Sequence, residues 1–92
     1  MREADIREGR LRDQALRAAQ SVCLNISEGA GRASSADKAR VYAIARGENR
    51  EVGSAIDIAL AAGCCPAEPA GRALGHARAV QALLSGLIRR FG

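Results

Sequence analysis

Aromatic side chains are nearly missing from this chain of 92 residues: Tyr42 and Phe91 are the two, and Trp does not occur. β-Sandwiches and barrels draw on aromatic and β-branched residues, so the composition disfavours both; alanine fills much of the apolar quota instead and favours packed helices. No apolar run approaches the roughly 18 residues of a membrane span. The opening segment MREADIREGR is charged and has no apolar stretch, so it is not a secretory signal. Lysine is scarce as well. Lys38 stands alone, and the other 13 of 14 basic residues are arginine.

Cysteine is limited to Cys23, Cys64 and Cys65. An odd count without a secretion signal points to reduced thiols in a cytoplasm. Cys23 lies on an apolar helical stripe and is expected in the core. Cys64, Cys65 and His76 match none of the usual zinc spacings, so no metal is expected. His76 reads as a surface or boundary residue.

What is present is a soluble, basic, helical pattern. Hydrophobic residues make up 48% of the chain and the net charge is +4. One domain spanning residues 1–92 is all that this length holds. An arginine-rich surface fits nucleic-acid binding, and equally the codon usage of a GC-rich genome.

Three helices are expected, over about residues 3–28, 35–62 and 67–90, joined by short turns that make neighbours antiparallel in an up-down bundle. The first carries Leu11, Ala15, Ala18, Val22 and Ile26 at steps of three and four, flanked by Leu16, Ala19 and Cys23. Gly29 suits a left-handed helix end. Ser34 or Ser35 caps the second helix. Its stripe is Val41, Ala45, Val52, Ala55, Ile56 and Ala59, and Gly63 stops it. Gly47 and Gly53 weaken the helix and are expected to admit a close neighbour. The third follows Pro66 and Pro69, with Ala70, Leu74, Ala77, Val80, Leu84, Leu87, Ile88 and Phe91 on its apolar face. Arg89 and Arg90 end it, as the helix dipole favours.

Leu11 to Arg32 reads LRDQALRAAQSVCLNISEGAGR. The run Leu11, Gln14, Arg17, Ala18, Ser21, Val22, Asn25, Ile26, Glu28, Gly29 and Arg32 resembles the signature of a bacterial four-helix-bundle family. That family includes the intervening-sequence proteins encoded within large-subunit ribosomal RNA genes and the accessory variability proteins of diversity-generating retroelements. In the second helix, Ala45, Gly47 and Glu51 fit the same pattern, with Glu48 where a serine is common. Family members carry a further helix ahead of the signature, where this chain has MREADIREGR, so three of four helices are expected. The resemblance implies an oligomer, a ring-shaped homopentamer being favoured, and a structured RNA or a reverse transcriptase as partner.

Asn25 and Glu28 are expected to hold the turn or a neighbouring subunit, with a Glu28–Arg32 pair as an alternative. On a helical wheel Glu48 falls near the middle of its apolar face, and Arg12, with Glu8 one turn before it, falls likewise on its own helix. A partly buried pair of Glu48 with Arg12 or Arg17 is therefore expected. No carboxylate has the second acid, histidine or metal that catalysis needs, so no enzyme and no catalytic residue is expected. GAGR at residues 29–32 follows a helix rather than a strand and is no dinucleotide fingerprint. Neither a cofactor nor a small-molecule substrate is indicated. Arg10, Arg17, Arg32, Arg40, Arg46 and Arg50 are the candidate phosphate contacts, sequence-blind and salt-sensitive. Scarce aromatics argue against base stacking on a single strand and for structured RNA. A purely structural or protein-binding oligomer is the alternative.

Overall fold

The computed structural model describes residues 3–92, with side chains from Gly9 onward. Helix α1 spans Glu3–Gly31, α2 Ser35–Ala61 and α3 Ala67–Phe91, and no strand occurs among the described residues. The three expected helices are present. The first runs further than its expected end at residue 28.

Local chemistry sets the boundaries. Ser34 is extended, and its Oγ accepts from the Asp37 N–H at 3.1 Å, which caps α2. At the other end Gly63 takes φ +71°. The Gly63 N–H donates to Leu60 O and the Cys64 N–H to Ala59 O, a pair of bonds that satisfies two carbonyls of the last turn. Pro66 is the extended residue before α3, and Pro69 falls in its first turn, where a missing N–H is tolerated.

Gly29 is not the left-handed stop. It is helical, α1 continues to Gly31, and Gly63 is the only positive-φ glycine among the described residues. What requires glycine at position 29 is space. A Cβ there would lie 2.7 Å from the Tyr42 ring. Gly47 and Gly53 are the reverse case: nothing lies within 4 Å of where their Cβ would be, so neither admits a neighbouring helix.

Helix α2 is the centre of the molecule. Among the described residues, backbone contacts run from α1 to α2 and from α2 to α3. Across α2 and α3 the pairs Tyr42 with Phe91, Arg46 with Ser85 and Asn49 with Gln81 keep a nearly constant sum of residue numbers, as antiparallel neighbours must. The Cα envelope measures 49 × 23 × 13 Å. Among the described residues α1 and α3 make no backbone contact with each other, so the bundle is open. The helices therefore form a shallow layer.

The densest packing lies where the α1 C-terminus, the α2 N-terminus and the α3 C-terminus meet. Tyr42, Ala45 and Leu84 form its centre, and Ile26, Val80, Leu87, Ile88 and Phe91 pack around them. The Tyr42 and Phe91 rings lie 6.2 Å apart, within the favourable range for aromatic pairs. Lys38 ties the same corner. Its Nζ donates to Ala30 O at 2.8 Å and Gly29 O at 3.3 Å, and sits 5.7 Å from the centre of the Phe91 ring. The last turn of α1 has no basic residue of its own, so Lys38 supplies the charge that the helix end favours.

A layer buries less than a closed bundle. On α1, Ala18 and Val22 are buried, whereas Leu16 and Leu24 are exposed. Cys23 is exposed too, contrary to its expected place in the core. It lies on the flank of the stripe, which α2 alone is too narrow to cover.

Candidate nucleic-acid interface

The layer has two unlike faces. On one, α1 and α3 flank an apolar groove of about 340 Å³ over the C-terminal half of α2. Leu11 and Ala15, Ala55, Ile56 and Ala59, and Ala70 and Ala73 line it, with Arg12 at its rim. The other face holds a polar cleft of about 430 Å³ between α2 and α3. Asn49, Arg50, Gly53, Ser54 and Asp57 line one wall, and Leu74, Ala77, Arg78 and Gln81 the other. By helical phase Arg10 and Arg17 fall on the side of α1 opposite Arg12, and so on the face of the polar cleft.

The six candidate arginines divide into two groups. Arg32 and Arg40 belong to the α1–α2 turn, where they are neutralised. Arg32 contacts Glu28 at 2.8 Å and Asp37 at 3.7 Å, and Arg40 contacts Asp37 at 3.3 Å. These pairs are solvent-exposed and each contributes about 0–1 kcal/mol. They hold the turn and leave those cations little charge for another partner. Arg10, Arg17 and Arg50 are exposed and form no ion pair with any described residue, while Arg46 reaches Ser85 Oγ at 3.4 Å.

The signature residues are structural in their contacts. Asn25 donates to Ser21 O at 3.0 Å and Ser21 Oγ at 3.2 Å, within its own helix. Glu28 pairs with Arg32, the alternative to a backbone contact. Gln14 and Glu51 are exposed, and Gly29 is buried against Tyr42. Glu48 is half-buried, but no ion pair joins it to Arg12 or Arg17, both of which are exposed. The expected buried pair is absent because α1 meets α2 through Ala18 and Val22, which leaves both guanidinium groups outside the contact. Glu8 lies outside the residues whose side chains are described.

Asn49 is the buried polar residue that a wheel centred on Glu48 overlooks. It is 6% exposed. Its Nδ2 donates to Ala77 O at 2.8 Å and Gln81 Oε1 at 3.0 Å, binding α2 to α3. The signal was present in sequence: Asn49 continues the steps Val41, Ala45, Asn49, Val52 and Ile56. Arg78 went unnoticed because α3 reads chiefly as an apolar helix.

No group of His, Cys, Asp and Glu among the described residues could hold a metal. His76 is exposed, and the three cysteines are free thiols. No described helix is long and apolar enough to cross a membrane.

The profile of one protein family, the 23S rRNA-intervening sequence protein, matches residues 3–86. No curated protein and no solved structure matches the chain significantly. The match covers all of α1 and α2 and most of α3, including every residue of the signature and both walls of the polar cleft. The chain belongs to the family of 23S rRNA-intervening sequence proteins.

Proposed function

We propose that this protein is a non-enzymatic, RNA-associated accessory or scaffold protein of the cytoplasm, which grips structured RNA through its basic face and self-associates through its apolar groove. The separation of the two faces carries this reading. Arg50 and Arg78 line the cleft on one side of a thin layer, with Arg10, Arg17 and Arg46 on that side by helical phase, and Ala15, Ile56, Ala59 and Ala73 line the groove on the other. Counterions released from such arginines drive sequence-blind, salt-dependent binding. The aromatic pair Tyr42 and Phe91 is engaged in the core corner, so duplex or otherwise structured RNA fits better than stacked single-stranded bases. The family's name, 23S rRNA-intervening sequence protein, is compatible with an RNA-associated role.

Leu16, Leu24, Ile44, Ile58 and Leu83 are exposed outside the groove, and this further apolar surface favours association with further copies. A homopentamer is the assembly that the signature suggests, and five chains would carry about +20. A reverse transcriptase is the protein partner that the retroelement branch of the resemblance suggests.

The test is the affinity for a structured RNA hairpin measured across a salt series. Log affinity should fall linearly with log salt, with a slope of several units. Absent binding, or binding indifferent to salt, contradicts the RNA role. Capture of a protein partner that persists at high salt favours the purely structural alternative.

A further inference from the structure

We propose that the cleft between α2 and α3 receives one ribonucleotide unit of the RNA, with Arg50 and Arg78 holding its phosphate and the Asn49–Gln81 amide pair holding its 2′-hydroxyl. This inference rests on the reading of the basic face as an RNA surface. It assigns one cleft, rather than the face at large, the task of telling RNA from DNA.

The floor of the cleft carries the first observation. Asn49 is more than nine-tenths buried, and its Nδ2 gives both protons to α3, one to Ala77 O and one to Gln81 Oε1. No described residue donates to Asn49 Oδ1. Yet among the described residues no side-chain polar atom that is sealed from solvent lacks a partner. Asn49 Oδ1 must therefore reach open space, and the space that Asn49 lines is this cleft. Gln81 accepts through Oε1, which leaves its own amide N–H groups without a described acceptor. An acceptor and a donor thus stand side by side on the floor. A 2′-hydroxyl both donates and accepts, and is what distinguishes RNA from DNA at such a site.

Charge on the walls is the second observation. Arg50 on α2 and Arg78 on α3 flank the floor, and neither forms an ion pair with a described residue. Asp57 lines the same cleft, seven residues beyond Arg50 and so about 10 Å further along α2. Two cations and one carboxylate match a single phosphodiester rather than a run of phosphates, and the anion belongs at the arginine end. The volume, about 430 Å³, suits one nucleotide. Gly53 keeps the wall between Arg50 and Asp57 free of a side chain, with nothing within 4 Å of its Cβ position.

The test uses the full chain and fluorescence anisotropy with a labelled RNA hairpin and the DNA hairpin of the same sequence. Wild type should prefer the RNA. Arg50→Ala with Arg78→Ala should weaken RNA binding at least tenfold. Gly53→Leu fills the cleft without touching a charge and should do the same at unchanged helicity by circular dichroism. Gln81→Ala should abolish the preference for RNA over DNA. Arg12→Ala, on the opposite face, should change affinity less than twofold. If Gly53→Leu and the double variant bind like wild type while Arg10→Ala with Arg17→Ala is weakened, the cleft is overturned and the RNA-binding face stands. If wild type binds no RNA at low salt, both fall. Excess adenosine 5′-monophosphate separates an RNA strand from a free ribonucleotide. Hairpin binding that survives supports the strand, and displacement at a comparable concentration overturns it.

Discussion

Gly29 and Tyr42 occupy one space. The Tyr42 ring lies where a Cβ on Gly29 would be, 2.7 Å from its Cε1, and this contact sets how closely α1 approaches α2. Gly29→Ala must push the ring against Phe91 and Leu84 or part the helices. Overpacking of this kind costs about 1–3 kcal/mol. Gly47→Ala is the control: its site is open and helical, so the substitution should stabilise by about 0.5–1 kcal/mol. Chemical denaturation of the two variants checks both signs. Equal stabilities would remove the packing account of the signature glycine.

Lys38 is the one lysine, and it closes the end of another helix. Lys38→Met keeps the apolar stem but loses the bonds to Gly29 O and Ala30 O. A loss of about 1 kcal/mol is expected, with Lys38→Arg retaining part of it. Thermal unfolding monitored by circular dichroism reads the difference. A Lys38→Met melting temperature equal to wild type would show that water caps α1 as well.

Asn49→Ala removes the buried bridge between α2 and α3. The Ala77 carbonyl keeps its helical partner, so the loss is that of a buried hydrogen-bond pair and a small void, about 1–3 kcal/mol. Asn49→Asp should destabilise further, because a buried carboxylate would face the Ala77 carbonyl and Gln81 Oε1 in place of a donor. Urea midpoints for the two variants establish the order. Asn49→Asp at or above the stability of Asn49→Ala would contradict this account of the bridge.

Sequence periodicity carried the helices well and the faces less well. Three helices, the Ser34 cap and the Gly63 stop follow from local chemistry, which a single chain displays directly. A wheel, however, ranks positions by apolarity and does not know how many neighbours a helix has. It placed Cys23 in the core and Glu48 in a buried pair because it assumed that α1 and α2 are covered on a wide arc. In a layer the covered arc is narrow. The polar residue that is buried is Asn49, one step along from Glu48, because α3 rather than α1 lies on that side. The candidate arginines show the same limit. Arg32 and Arg40 look like the others in sequence, but the turn brings Glu28 and Asp37 to them.

The groove predicts how the chain associates. Ala59→Arg places a charge among Ala55, Ile56, Ala70 and Ala73 on the face that further copies would cover. It should lower the solution mass towards one chain and leave the helical signal unchanged, since the site lies outside the Tyr42–Leu84 core. Sedimentation velocity checks it, and an unchanged mass would exclude the groove as the interface.

The most direct test of the whole account is light scattering of the purified chain with absorbance read at 260 and 280 nm. One Tyr and no Trp make the protein nearly dark at 280 nm, so bound RNA is conspicuous. The account predicts a mass of several chains, near five, with excess absorbance at 260 nm that ribonuclease or high salt removes. A single-chain mass with no nucleic-acid signal would contradict it.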